Sequence, residues 1–199
     1  MAGGKETPRQ KMIGMMYLVL VALLALQIKD TVLEKFVLME AGLQSSNEVY
    51  EASNSQIVQS INKAAQDQGG KESDLKVVTA AQTVRQKTTE IIDYMANMKA
   101  EVGLASSGGD ATVIYERSTL KKYEEPSHYL VEQKNADELK TRLDAYNNEM
   151  KSILTEIGIN KDWTSLALDA SEIEFYKNNP EEKNKDFANL NFYKTPLAA

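Results

Sequence analysis

The chain has 199 residues, 42% of them hydrophobic, with a formal net charge of −6, one histidine and no cysteine. That supports one packed domain in addition to a membrane segment. The missing cysteine excludes thiol catalysis, disulfides and thiolate metal sites. The acidic balance argues against nucleic acid as the main partner, because phosphate binding needs a clustered positive surface.

The first element is an uncharged apolar run, MIGMMYLVLVALLALQI, from Met12 to Ile28. Extended back to Pro8 it makes a helix of 21 residues, about 31 Å long at ~1.5 Å per residue. A hydrocarbon core is about 30 Å thick. Thr7 can cap this helix, Pro8 suits its first turn, and Gln10 can close a capping box onto Thr7. A cleaved signal peptide has a similar layout, but the small-x-small cleavage pattern after Ala25 is poor. A buried core helix would show a polar face. The run therefore reads as a single membrane-spanning helix. Lys5, Arg9 and Lys11 precede it against Lys29 and Lys35 after it, which favours a cytoplasmic N-terminus by a thin margin.

No turn signal follows Ile28, so the helix is expected to continue to about Asp67. Val32, Phe36, Met39, Leu43, Ile57, Ile61 and Ala64 supply its apolar stripe, and its middle, QSSNEVYEASNSQ, is polar and packs weakly by pattern. Beyond Gly69-Gly70, Ser73 can cap a second helix running to about Val102, with Gly103 as its stop. Leu75, Val78, Ile91, Ile92, Met95, Met98 and Val102 form its stripe. A loop at Ser106–Asp110 follows. Asn135 is expected to cap a third long helix, with Glu138 returning the bond. Leu139, Leu143, Tyr146, Met150, Ile153, Leu154 and Ile157 form its buried face, and Gly158 is its stop. The tail holds Trp163, an acidic stretch and the aromatics Phe187, Phe192 and Tyr193. The fold class is all-α, a transmembrane helix continuing into a helical bundle.

The search for an active site finds little. His128, read as a loop residue beside Pro126, cannot alone build a zinc site or a Cys-His pair. Glu124-Glu125 and Glu181-Glu182 read as solvated surface. No phosphate-binding glycine loop is present. The expectation is no enzyme, no metal and no cofactor. The unusual chemistry lies in the membrane helix. Arg9 stands just inside its start, where a guanidinium either snorkels to the headgroups or pairs with an acid of another protein. Tyr17 is the one polar side chain between Met12 and Leu26, and its hydroxyl needs a partner in lipid. At about 100° per residue it lies roughly 80° round the helix from Arg9. Gly14, Ala22 and Ala25 would let another helix approach closely.

The opening, MAGGKETPRQKMIGMMYLVLVALLAL, running on to VLEKFVLME, closely resembles the start of the GldM/PorM family of the Bacteroidetes gliding and type 9 secretion machinery. The blocks around TPRQKMI and MYLV are its specific part. Over the rest of the chain the resemblance is looser, resting on helix layout, on Phe192-Tyr193 and on the following Thr195-Pro196. It implies an inner-membrane protein with residues 1–7 as a short cytoplasmic tail, 8–28 as the transmembrane helix and 29–199 as a periplasmic helical bundle, with β-rich domains to follow. It implies a homodimer whose membrane helices sit inside a ring of GldL/PorL-type subunits and turn proton flow into motion, acting with periplasmic components of the machinery. It assigns Arg9 as counter-charge to a buried ring glutamate and sets Tyr17 in the same region. Lys11, Gly14 and Ala22 are expected to join Tyr17 in contacting partner helices. The competing reading is a periplasmic helical-bundle sensor or an anchored scaffold, although so short a tail leaves no room for a cytoplasmic output domain.

Overall fold

The computed structural model describes residues 7–161 and 163–199, with the backbone alone for residues 24–30. The tail at 1–6 lies outside the described residues. Helix α1 (Pro8–Asp67) is a single helix of 60 residues, ending where expected. Gly69 and Gly70 turn the chain at φ 89° and 65°, a conformation glycine adopts without steric cost. Helix α2 (Glu72–Ser107) returns alongside α1. Arg85 pairs with Glu51 and Lys99 with Glu40, which fixes an antiparallel register. Short turns follow: α3 (Arg117–Leu120), α4 (Glu124–Ser127) and a π-helical turn at His128–Glu132. Helix α5 (Asn135–Glu156) runs antiparallel to α2, with the Tyr146 hydroxyl 2.9 Å from Thr88 Oγ1 and the Arg142 guanidinium 4.2 Å above the Tyr94 ring. Two short helices, α6 (Glu174–Lys177) and α7 (Phe187–Phe192), complete the fold. Every regular element among the described residues is helical.

The core lies between α2, α5, the π-helical turn and α7. Ile91, Met98, Val102, Leu130, Ala136, Leu139, Leu143, Ala167, Phe187 and Ala188 form one buried cluster. Each large apolar side chain so enclosed contributes about 2 kcal/mol by leaving water. Phe187 and Phe192 meet edge to face, 5.7 Å apart, so two of the three tail aromatics are packing residues, while Tyr193 stays exposed. On α5, Leu139, Leu143 and Met150 are buried as expected.

Several local expectations are corrected. The stripe Val32, Phe36, Met39, Leu43 and Ile57 is exposed, and Leu33, Val37 and Ala65 face the bundle instead. The packed face is thus one residue, about 100°, further round α1. The polar middle of α1 is exposed throughout, as its pattern implied. On α2, Leu75, Ile92 and Met95 are likewise exposed. Helix α2 passes through Gly103 and stops at Gly108, which takes φ 71°. Gly103 is there for packing: a Cβ would meet Ile114 at 3.2 Å. At the start of α5 the cap position falls on Lys134, while Asn135 donates to the Tyr129 carbonyl at 2.8 Å and Glu138 pairs with Arg142. His128 belongs to the helical turn, its Nδ1 2.7 Å from Glu132 Oε2.

Among the described residues no helix is long and apolar enough to cross a membrane. The side chains of 24–30, which complete the expected span, lie outside that description.

Candidate functional site: the N-terminal part of the long helix

The start of α1 is closed by the box expected from its sequence. The Thr7 side chain accepts from the Gln10 N–H at 3.3 Å, and the Thr7 N–H donates to Gln10 Oε1 at 2.9 Å. Two of the orphan donors of a helix N-terminus are satisfied in this way. Arg9 is consequently the second residue of the helix, with its direction set by the helix backbone. Arg9, Lys11, Gly14, Tyr17 and Ala22 are all exposed.

These five residues do not share one face. At about 100° per residue, Tyr17 stands roughly 80° from Arg9, whereas Gly14, Lys11 and Ala22 stand at roughly 140°, 200° and 220°. Arg9 and Tyr17 form one group, about 12 Å apart along the axis. Lys11, Gly14 and Ala22 form a second group across the helix. Among the described residues nothing beyond the helix's own backbone lies within 4 Å of where a Gly14 Cβ would be, so that close-approach position is open.

Between these residues the surface is apolar on every side. Tyr17 and Leu18 are 68% and 71% exposed, and Met12, Ile13, Met15, Met16, Val19, Leu20, Val21 and Leu23 are exposed with them. Monomeric soluble proteins rarely leave so large a contiguous apolar surface uncovered; such a surface marks a membrane or partner-helix contact.

The rest of the molecule offers structural chemistry. Lys87 Nζ lies 3.3 Å from Glu149 and 3.5 Å from Glu90 in a shallow groove between α2 and α5, so its charge is already answered. Tyr129 donates to Glu101, and that bond, with partial burial, pushes its phenol up to about 12. No cluster of His, Asp and Glu able to hold a metal occurs among the described residues. Sequence reasoning missed the ion pairs that bind α1 to the body: Glu34–Arg117, Glu40–Lys99 and Glu51–Arg85. Their partners are tens of residues apart in the chain, so no local spacing marks them.

The family model of the GldM N-terminal domain matches residues 31–199, most of the chain. No curated protein and no solved structure matches. The all-helical body and the extent of that match make this chain a member of the GldM family, a component of the gliding and type 9 secretion machinery.

Proposed function

We propose that this chain is the central shaft of an inner-membrane motor, driven by the proton-motive force, that powers type 9 secretion and gliding. The observation that supports it most is the unbroken helix α1. Its apolar first part and the part bound to the bundle are one rod, so rotation or tilt at one end would reach the other without a joint. In this reading residues 8–28 cross the inner membrane once, the N-terminus is cytoplasmic and the bundle is periplasmic.

The partners follow from the same surface. Bare apolar sides suit enclosure by the helices of a GldL-type ring, and the Arg9–Tyr17 face presents a guanidinium and a hydroxyl to that ring. A ring carboxylate within a few ångströms of Arg9 would be held ionised, while its desolvated neighbours would favour the protonated form. Proton binding and release would then follow the position of the ring relative to Arg9. The exposed stripe Val32, Phe36, Met39 and Leu43 on α1 has the three- and four-residue spacing of a helix–helix seam, and supports a parallel homodimer along the shaft. The role is mechanical and needs no catalytic residue.

Substitution Arg9→Ala tests the proposal. Secretion and gliding should be lost while the chain still co-purifies from membranes with its multi-helix ring partner. Loss of that assembly would make Arg9 a structural residue, and retained motility would remove it from the mechanism. A chain that co-purifies with no ring, but with a small ligand in its bundle, would favour the sensor.

A further inference from the structure

The register of the bundle sets how close its lower end comes to the apolar run. Lys99 pairs with Glu40. Eight residues further along α2, Ser107 therefore lies level with about Val32 on α1. Past the loop, Arg117 pairs with Glu34 directly. The connecting segment 108–117 thus begins and ends beside α1 near those two levels, while in its middle Ile114 packs on Gly103, level with about Phe36. Counting from Ile28, the segment's ends lie about 6–9 Å beyond the last residue of the uncharged run and Ile114 about 12 Å beyond it, within a tyrosine side chain's reach of the surface. The polar layer on each side of a hydrocarbon core is itself about 5–8 Å deep.

What this segment presents suits that depth. Tyr115 is 62% exposed, and Leu104, on the last turns of α2, is exposed nearby. Ile114 is anchored against Gly103, so the backbone that carries Tyr115 is held to α2. Of the segment's three charged residues, Asp110 and Arg117 are engaged, and Glu116 stays exposed beside Tyr115. Asp110 accepts from the Thr112 N–H at 2.9 Å and its hydroxyl at 2.7 Å, and Arg117 pairs with Glu34. Gly108 and Gly109 add no side chain that would hold the segment away from a surface. A tyrosine ring, apolar with one polar tip, is the side chain that membrane–water boundaries favour.

We propose that segment 108–117 rests on the periplasmic surface of the bilayer, with Tyr115 in the layer of phospholipid headgroups and glycerol. This rests on the membrane reading of residues 8–28. It gives the body a second contact with the membrane, about one helix diameter from the first. A single spanning helix leaves the body free to tilt. Two contacts hold its axis, so the bundle turns or shifts on the surface as one piece with the shaft.

The test uses the full chain in phosphatidylcholine nanodiscs, with the native tryptophan removed by Trp163→Phe. Single tryptophans are then introduced by Tyr115→Trp, Leu18→Trp and Tyr50→Trp, and each is read with phosphatidylcholine brominated on its acyl chains. Leu18→Trp reports the spanning helix, and Tyr50→Trp stands some 33 Å beyond Ile28. The expected result is strong loss of emission for Leu18→Trp, a smaller loss with a blue shift for Tyr115→Trp, and none for Tyr50→Trp. If Leu18→Trp is quenched while Tyr115→Trp emits as in water and matches Tyr50→Trp, the surface contact is overturned and the membrane reading stands. If Leu18→Trp is itself unquenched, both fall.

Discussion

Asp169 joins three segments through one carboxylate. It accepts from Lys140 Nζ of α5 at 2.5 Å and from the Phe187 N–H at the start of α7 at 2.7 Å. The Lys140 hydrogen bond, aided by the Phe187 N–H, holds its carboxyl below the usual value of 3.8, against partial burial that acts the other way. The folded value is depressed, so this stabilisation is complete above the unfolded value and is lost as pH falls through the folded one. Asp169→Asn keeps the shape and removes the charge. It should cost about 1.5 kcal/mol at pH 7, the low end of the usual worth of a hydrogen bond to a charged group, because the carboxylate is a third exposed. Urea denaturation of both proteins should show that difference shrinking as pH drops below 3.8. A constant difference would mean that shape, not charge, holds α7 in place. Such a residue is invisible in the sequence, where Asp169 is one acid in an acidic tail. Thr7 and Gln10 were legible because a capping box is a rule about neighbours three residues apart. Gly103 was misread for the converse reason. A glycine that ends a helix and one that admits a side chain look alike until Ile114 is placed against it.

At the scale of elements, the helices were legible in number and rough extent, and their faces were legible only where a single partner exists. Helix α5 has one packed face, and Leu139, Leu143 and Met150 on it are buried as periodicity demands. Helix α1 carries two apolar stripes about 100° apart. One, with Leu33 and Ala65, meets the bundle, while the other, with Phe36 and Leu43, is left exposed. Periodicity cannot rank two such stripes, since which one α2 covers is set by the hairpin turn and by ion pairs far apart in sequence. The two faces should respond differently to substitution. Leu143→Ala removes a side chain 5% exposed and should cost about 3 kcal/mol, as buried leucine truncations do. Leu43→Glu changes a side chain 64% exposed and should move the stability of the body by less than about 0.5 kcal/mol. It should instead convert a dimer to a monomer, read by light scattering beside a thermal melt. Loss of stability in Leu43→Glu at concentrations where the chain is monomeric would show that this stripe belongs to the fold.

For the whole molecule, the division of labour along α1 decides what can be removed. Among the described residues the buried apolar side chains begin at Leu33, and the family match begins at residue 31. The described part of the apolar run therefore adds nothing to the core, although it is continuous with a helix that does. The ion pairs Glu34–Arg117, Glu40–Lys99 and Glu51–Arg85 all lie beyond residue 31, so they survive its removal. Exposed pairs of this kind add little to stability; they set register more than they set stability. A chain of residues 31–199 should fold as a helical, water-soluble body that melts cooperatively, with hydrogen-exchange protection on α2 and α5 equal to that of the full chain in nanodiscs. Protection on α1 should fade toward its new N-terminus, where the first turn has lost its preceding helix and its cap. If the shortened chain instead melts without a cooperative transition, the body depends on the run for its fold. The shaft and the bundle would then be one folding unit, and a rod that passes motion from the membrane to a separately stable body would no longer describe this protein.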